Sequence, residues 1–282
     1  MPSAVAPSRP PPIYFIGHAG VSLLFDESPK NHIVQDNLRA VGKEIRELSP
    51  RPKAIITFSG HFEAGEIHGP GVIEGEICLV LFRKVQAIAD TFTLAVVNHD
   101  FVNDFHDTHP FVYEYEWPHE DAPELAVDVW RHLTKSGIRA KRVERGVDHG
   151  VWVPFKLMFP PEAPLDVPII QVSTFHGYDL GSQIRLGEAF QPLRNEGYLI
   201  VASGMAVHSF PSIAEIRAAP SEDAKNAARA QVLEESRTFD TRLRAAVTKR
   251  GAVERRKALL ELESLPEYRR SHPTVEVGQV VP

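Results

Sequence analysis

The sequence predicts one three-layer α/β/α domain built around a central, mostly parallel sheet. Short runs of β-branched and other apolar residues recur along the chain, as strands buried on both faces require. Segments with apolar residues at helical spacing separate these runs, and this alternation is typical of parallel strands covered by helices on both sides. The chain shows no Pro/Gly/Ser-rich linker and no internal repeat, so a single domain is the simplest organisation.

The chain begins with a strand–helix–strand unit. The apolar run 13–17 ends at His18 and predicts a strand. Apolar residues between 31 and 48 follow the spacing of a one-faced helix. The β-branched run 53–59 predicts a buried strand that stops before His61. Because the helix must cross back over the sheet, such units favour parallel pairing of their strands.

The alternation continues after residues 77–120, where the absence of a clean period predicts a long irregular excursion over the core. Further strands are predicted at 138–143, 167–173 and 198–203, and further helices at 124–136 and 179–195. Gly137 is the expected C-terminal cap of the first of these helices. The charged, alanine-rich segment 220–265 predicts one or two surface helices, and the tail from Pro266 is expected to be irregular.

Composition narrows the classes of function. Of the 282 residues, 43% are hydrophobic and 24% are charged, which is ordinary for a globular protein. The net charge is -6 without a basic stripe, which argues against a nucleic-acid partner. Residues 1–12 are rich in Pro, Ser and Ala and predict a disordered tail, so that 13–282 form the folded domain.

The cellular location is predicted from what the sequence lacks. No apolar run is long enough for a membrane span, and the N-terminus lacks the apolar stretch of a signal peptide. The single cysteine, Cys78, cannot form an internal disulfide. We therefore expect a cytoplasmic protein without a membrane partner.

Thirteen histidines are the compositional oddity, and three of them follow predicted strands. These are His18, His61 and His208. Ligand sites in open α/β sheets lie at the carboxyl ends of the strands, so these side chains can converge. A fourth, His149, lies in a glycine-flanked loop that can approach a pocket closely. A histidine after a strand is often only a polar loop residue, but the shared placement favours a common metal or catalytic site.

Other catalytic templates are missing. The sequence contains no G-x-S-x-G elbow, no G-x-x-x-x-G-K-[ST] loop and no H-E-x-x-H helix. Apolar residues flank Cys78, which disfavours a thiolate nucleophile. The Glu-rich segment 253–268 is better interpreted as a solvated helix face than as a site.

A set of motifs resembles the class III extradiol ring-cleavage dioxygenases, in the branch that includes DOPA dioxygenases. The similarity extends over residues 13–212, with the motifs in the family's order and spacing. They are the His-containing strand end Phe15-Ile16-Gly17-His18-Ala19-Gly20, Arg51-Pro52-Lys53-Ala54, Ser59-Gly60-His61-Phe62-Glu63, Ala122-Pro123-Glu124-Leu125, Asp148-His149-Gly150-Val151-Trp152-Val153-Pro154, Gln171-Val172-Ser173 and Ser203-Gly204-Met205-Ala206-Val207-His208. Gly17 and Ala19-Gly20 depart from the residues that the family prefers around its first histidine.

The resemblance implies a metal-dependent enzyme that inserts O2 into a catechol, of which DOPA is the model, and opens the ring next to the diol. His18 and His61 are the implied metal ligands, and His208 is the implied acid/base close to the substrate. His149 is expected to contact substrate or oxygen. The implied metal is Fe(II), and such sites also hold zinc. Two histidines and a third protein ligand leave other coordination positions of the ion open, as non-heme Fe(II) oxygen chemistry requires.

The third metal ligand is where the sequence departs from the family. The family carries His-Pro-x-x-Glu-His and then continues, whereas this chain reads His272-Pro273-Thr274-Val275-Glu276-Val277 and ends at Pro282. Val277 stands at the expected ligand position and cannot coordinate a metal. Glu276 is the candidate that restores a set of two histidines and one carboxylate, and its alternative is a solvated tail residue. We expect a truncated or divergent C-terminal segment.

Three functions compete at this stage. The first is an active extradiol dioxygenase. The second is a catalytically impaired relative that acts as a binding protein because the third ligand is missing. The third is a zinc hydrolase on the same histidines, against which stands the absence of a helical Glu general base. Metal occupancy of the purified protein discriminates the first two.

Overall fold

A computed structural model describes residues 10–63, 77–80, 122–143, 147–175 and 180–273. Its strands are β1 (Ile13–Gly17), β2 (Ala54–Glu63), β3 (Ile77–Val80), β4 (Ala140–Val143), β5 (Ile169–Thr174) and β6 (Tyr198–Gly204). Its helices are α1 (Pro29–Arg46), α2 (Pro123–Lys135), α3 (His149–Met158), α4 (Leu180–Asn195), α5 (Phe210–Ala218), α6 (Glu222–Val247), α7 (Ala252–Leu262) and α8 (Pro266–Ser271), with one 3-10 turn at Val21–Leu24.

The described strands form one sheet in the order β1-β6-β2-β5-β3-β4. Parallel pairing joins β1 to β6, β6 to β2, β2 to β5 and β3 to β4. Only β3 and β5 pair antiparallel within the described part of the chain, at Leu79 and Val172. The prediction of a central, mostly parallel sheet is therefore confirmed.

Helices cover both faces of the sheet and make three layers. Successive strand residues point to opposite faces, so Ile55 joins one apolar cluster and Ile56 the other. Helices α1 and α3 close the first cluster, and α2 and α4 close the second. A third cluster joins α4 to α6 and α7 through Leu180, Ile184, Ala246, Leu259 and Leu262. The α/β/α fold class predicted from the alternation of elements is confirmed.

Helices α1 and α3 cross in very close contact. A Cβ atom on Gly42 would overlap the backbone of Met158 at the C-terminal end of α3. One turn further along α1, Arg46 Nη1 donates to the carbonyl of Met158 at 2.6 Å and to that of Ala163 at 3.2 Å. Arg46 thereby satisfies a carbonyl that the end of α3 leaves without a helical donor. This crossing fixes α3, and with it the residues at its N-terminal end.

Most predicted elements occur within a few residues of their expected ends. Gly137 caps α2 with a φ of 77°, as expected for a residue that follows a helix in the left-handed region. The segment 220–265 forms two helices, α6 and α7. Residues 1–9 of the predicted tail, most of 77–120 and the residues after 273 lie outside the described part of the chain.

Four local predictions were wrong. Strand β2 does not stop before His61 but continues to Glu63, with a register shift after Phe58. Residues 77–80 form strand β3 at the start of the segment expected to be irregular. The segment that carries His149 is the first turn of helix α3 and not a loop. The chain after Pro266 forms the short helix α8 before the described residues end.

None of the described helices is both long enough and apolar enough to cross a lipid bilayer.

Candidate metal centre

Three histidines converge at the carboxyl end of the sheet. His18 directly follows β1, His61 lies on the extended end of β2, and His149 is the first residue of α3. Their ligand nitrogens all lie within 4.8 Å of one another. The Nε2 atoms of His18 and His61 are 3.0 Å apart, and the ring centroids of His61 and His149 are 4.1 Å apart. The exposed fractions of His18 and His149 are only 2% and 4%, so the cluster is largely shielded from water.

The hydroxyl of Ser203 determines which nitrogen of His18 faces the cluster. Ser203 Oγ donates to the carbonyl of Gly150, which can only accept. The same Oγ lies 3.0 Å from Nδ1 of His18, so it must accept the proton of that nitrogen. His18 is therefore the Nδ1–H tautomer, and its Nε2 lone pair points towards His61. A metal-binding imidazole needs this arrangement, with one nitrogen donating and the other left to coordinate.

Helix α3 leaves the Gly150 carbonyl available because of a proline. In an α-helix this carbonyl would accept from the backbone N–H four residues later, which is Pro154 and has no N–H. Ser203, on β6, supplies the donor instead. A Cβ atom on Gly150 would overlap Ser59 Oγ and lie 3.4 Å from Nδ1 of His18. Only glycine therefore lets α3 approach the two strands this closely.

Asp148 ties the N-terminus of α3 to the sheet. Its Oδ1 accepts from Ser59 Oγ at 2.6 Å and, as the N-cap of the helix, from Gly150 N at 2.9 Å. Its Oδ2 accepts from Gln171 Nε2 on β5 at 2.6 Å. Three donors of this kind stabilise a buried carboxylate and hold it in one orientation. Asp148 thus fixes the position of the neighbouring His149.

The same network orients His61. Ser59 Oγ donates to Asp148 and accepts from the backbone N–H of His61 at 3.1 Å. Ser59 and Ser203 are register partners on the adjacent parallel strands β2 and β6, so both hydroxyls reach the same face of the sheet. Two serines and one aspartate therefore hold all three histidines of the cluster.

Burial keeps His18 neutral. Loss of solvent is the main cause that lowers the pKa of His18 to about 3; the neighbouring His61 and His208 contribute to this shift, and Asp148 opposes it. A neutral imidazole is the form that binds a metal, since the lone pair must be free of a proton. The environment of His18 thus favours a ligand over an acid/base role.

The residues fit a divalent metal. Two imidazole nitrogens that each lie about 2.1 Å from one ion, at right angles, are about 3.0 Å apart. The observed distance between Nε2 of His18 and Nε2 of His61 is 3.0 Å. Neutral imidazoles are ordinary ligands of both iron and zinc, so the donor set agrees with both metals expected from the sequence.

His208 lies four residues beyond the end of β6, at the margin of the cluster. The prediction was that His18, His61 and His208 would meet. The nitrogens that converge in the described part of the chain are instead those of His18, His61 and His149. A charge on His208 still lowers the pKa of His18, so the two rings are close enough to interact. The ring of His208 packs edge-on against Phe210, with centroids 4.6 Å apart.

Glu276 and Val277 lie outside the described residues. The assignment of Glu276 as a metal ligand therefore stays a prediction, as do the roles assigned to His149 and His208.

Sequence reasoning gave no role to four residues that hold the histidines: Ser59, Asp148, Gln171 and Ser203. A signal for three of them was present, because each interrupts an otherwise apolar strand that is buried in the sheet. A polar side chain in a buried strand needs a partner, and such partners are often found in a site. Asp148 had a different signal, since an aspartate before an apolar segment is a common N-cap.

The comparisons with known proteins agree with this geometry. Residues 12–281 match the family described as the catalytic LigB subunit of aromatic ring-opening dioxygenase. The chain is 31% identical over 197 residues to a 4,5-DOPA dioxygenase extradiol of Beta vulgaris, covering 69% of this chain and 62% of that protein. It is 26% identical to a 4,5-DOPA dioxygenase extradiol-like protein of Schizosaccharomyces pombe, covering 94% of this chain and 80% of the relative.

A solved structure shares the fold. The crystal structure of an uncharacterized protein from Escherichia coli K12 superposes with a TM-score of 0.60 at 20% identity, over 94% of this chain and 84% of that chain. The chain thus spans less than two thirds of the length of the Beta vulgaris relative but most of the length of the other two. The family match extends from the first strand through the histidine cluster and beyond α8, and the chain belongs to the LigB family of aromatic ring-opening dioxygenases.

Proposed function

We propose that this protein is a metal-dependent extradiol dioxygenase that inserts O2 into a catechol resembling DOPA. The observation that carries the proposal is the pair of Nε2 atoms of His18 and His61, 3.0 Å apart in a part-buried cluster, with the tautomer of His18 set by Ser203. The names of the Beta vulgaris and Schizosaccharomyces pombe relatives support the substrate class.

Fe(II) is the proposed metal, with zinc as the other ion that the donor set accepts. His18 and His61 hold it. When bound, Fe(II) supplies Lewis acidity towards the diol and the one-electron chemistry that lets O2 react with an aromatic ring. Ser203 accepts a hydrogen bond from Nδ1 of His18, and Ser59 accepts one from the backbone N–H of His61, so both residues are held in place without substrate present.

His149 is the proposed third nitrogen of the centre. Its ring packs against that of His61, and its ligand nitrogen belongs to the same group within 4.8 Å. Asp148 ties the backbone beside His149 to the sheet, so the position of this residue does not depend on a bound ligand. Glu276 is the competing third ligand that the sequence offers, and substrate or oxygen contact is the competing role for His149.

His208 is the proposed acid/base. Its half-buried ring is close enough to His18 for their charges to interact, but it stands outside the group of ligand nitrogens. From there it can accept a proton from the diol as the substrate binds and return one as the ring opens. In this reaction the carbon–carbon bond next to the diol breaks, and both oxygen atoms of O2 stay in the ring-opened product. Burial of the neighbouring histidines limits the access of water to the reacting groups.

Anaerobic loading with Fe(II), followed by exposure to oxygen and L-DOPA, tests the proposal. We expect stoichiometric metal and a yellow ring-opened product in the wild type. Both are lost in His18→Ala and His61→Ala, whereas His208→Ala keeps the metal and loses most of the product. The surface variant His32→Ala is the matched control, because that side chain is half exposed and pairs with the exposed Glu27. Full metal occupancy without product would instead support an impaired relative that binds small molecules, and failure to bind metal would exclude the enzyme.

A further inference from the structure

We propose that His272, which follows the last residue of helix α8, is a positioning residue. It holds the loop that carries His208. The inference rests on the proposed function, since it takes His208 as the acid/base. It assigns a role to a histidine that lies 64 positions after His208 in the sequence. It also gives the C-terminal helices a part in the chemistry.

Two hydrogen bonds join the end of α8 to the segment that carries His208. The backbone N–H of His208 donates to the carbonyl of Ser271 at 2.9 Å. The side chain of His272 donates from Nε2 to the carbonyl of Ala206 at 2.8 Å. Residues 206 and 208 are thus held from the same side by residues 271 and 272.

The segment needs this support because it belongs to neither a strand nor a helix. Strand β6 ends at Gly204 and helix α5 begins at Phe210, so His208 stands on the five residues between them. At the far end, Ser209 caps α5 by accepting from the backbone N–H of Ser212. Between the end of β6 and the cap of α5, the backbone of 206–208 makes its described hydrogen bonds with two residues. Ser271 accepts from the N–H of His208, and His272 donates to the carbonyl of Ala206.

His272 is itself fixed by packing. Only 1% of its surface is exposed, and its ring lies edge-on to Phe239 of α6, with centroids 5.4 Å apart. The ring of Tyr268 on α8 lies 5.7 Å away on centroids. Phe239 and Tyr268 are also almost fully buried, so the imidazole has one available position.

The hydrogen bond to Ala206 also sets the proton of His272. Because a carbonyl only accepts, Nε2 must carry the hydrogen. Burial is the main cause that lowers the pKa of His272 to about 4; the proximity of His208 contributes to this shift, and the bond to Ala206 opposes it. The ring is therefore neutral at ordinary pH and places no competing charge beside His208. Among the described residues, Nδ1 of His272 has no hydrogen-bond partner, so the bond to Ala206 is the polar contact that this side chain makes.

A pair of variants separates the donor from the shape of the ring. His272→Gln keeps an N–H donor at a similar distance from the backbone, whereas His272→Phe keeps the aromatic shape and loses the donor. His132→Phe is the matched control, because His132 also donates from Nε2 to a carbonyl, that of Ala189 at 2.9 Å, on the opposite side of the sheet from α3. All three are measured with full-length, Fe(II)-loaded protein.

We expect His272→Phe to lower kcat for L-DOPA at least about tenfold, because an acid/base that leaves its position loses most of its contribution. KM and iron stoichiometry stay within about twofold, since the metal ligands are held by Ser203, Ser59 and Asp148. His272→Gln restores most of kcat, and His132→Phe leaves it unchanged. Equal losses in the Gln and Phe variants, or no loss in either, would overturn the proposal.

Hydrogen exchange gives a readout that needs neither metal nor turnover. The amide of His208 donates to Ser271, so we expect it to be protected in the wild type and to exchange at least about fivefold faster in His272→Phe. Protection is retained in His272→Gln. If the wild-type enzyme shows no turnover, the proposed function fails while this comparison still tests the positioning. If the Phe variant does not fold, an unprotected His208 amide in the wild type is the result that contradicts the inference.

Discussion

Ser203 Oγ lies 3.0 Å from Nδ1 of His18, and this contact connects the tautomer of a histidine in the cluster to the backbone of a helix. The hydroxyl donates to the carbonyl of Gly150, so it must accept from the imidazole. Without the hydroxyl, His18 can place its proton on Nε2, where it blocks coordination. The contact therefore has a measurable consequence for metal affinity.

Replacing Ser203 by alanine should weaken Fe(II) binding. Because such a residue orients a ligand without touching the metal, we expect an affinity loss of about 10- to 100-fold. Titration of the apoprotein with Fe(II) under nitrogen measures it. Ser264→Ala is the matched control, since that exposed hydroxyl only caps the end of α7. Unchanged affinity in Ser203→Ala would mean that His18 does not need the Nδ1–H tautomer.

Replacing Gly150 by alanine should damage the same centre by steric overlap. The added methyl group would overlap Ser59 Oγ and come to 3.0 Å from Asp148 Oδ1, so Ser59 or the helix must move. We expect at least about tenfold weaker Fe(II) binding, because both His18 and His61 depend on this network. In the control Gly251→Ala the methyl group meets only the flexible end of Glu254, so metal affinity should not change.

Replacing Gly42 by alanine should lower the stability of the fold. The methyl group would overlap the backbone of Met158, which cannot rotate away, and α1 and α3 must separate. Overpacking of this kind costs about 1–3 kcal/mol of the free energy of unfolding. Urea unfolding followed by circular dichroism gives the value, with Gly251→Ala again as control. A variant as stable as the wild type would mean that the helices can move apart without loss.

The fold was predictable where the pattern was local. Strand β1 and the histidine after it were identified because an apolar run ended in Gly17-His18, and α1 because its apolar residues repeat at helical spacing. Strand β3 was missed because four residues carry little periodicity and its partners, β4 and β5, are distant in the sequence. Helix α8 was missed for a similar reason: it has six residues, and the packing of Tyr268 against Phe239 stabilises it.

Two of the clustered histidines were predictable from their places in the sequence, whereas the residues that hold them were not. His18 and His61 were selected by their places after strands, and they do meet. Helix α3 was not expected, because Gly150 and Pro154 are poor helix formers. Pro154 has no N–H to donate to the carbonyl of Gly150. Ser203 donates instead, although it lies on strand β6 and 53 residues away from Gly150. No local sequence pattern indicates such a replacement. The presence of His149 in the cluster could therefore be seen only in the three-dimensional structure.

The stability of the metal-free protein should fall on mild acidification, partly because of His272. Burial lowers its pKa from 6.5 to about 4, so the unfolded chain takes up this proton first as the pH falls. The free energy of unfolding therefore decreases from about pH 6.5 towards about pH 4, by up to about 1.4 kcal/mol per pH unit. His272→Gln removes this titration. Between about pH 7 and about pH 5, we expect the variant to lose about 1–2 kcal/mol less than the wild type in urea unfolding. An equal loss would mean that His272 titrates alike in both states.

A comparison of two alanine substitutions, at His149 and at Glu276, can assign the third metal ligand. His149 belongs to the observed group of nitrogens, whereas Glu276 is a candidate from the sequence alone. If His149 coordinates the ion, His149→Ala weakens Fe(II) binding by more than about 100-fold, beyond the range expected for a residue that only orients a ligand. Glu276→Ala then leaves the affinity within about twofold, because a residue that does not coordinate the ion contributes little to its binding. A large loss of affinity in Glu276→Ala and a small one in His149→Ala would assign the carboxylate as the ligand. His149 would then be the residue that contacts substrate or oxygen. Isothermal titration with both Fe(II) and Zn(II) decides between these outcomes without any need for turnover.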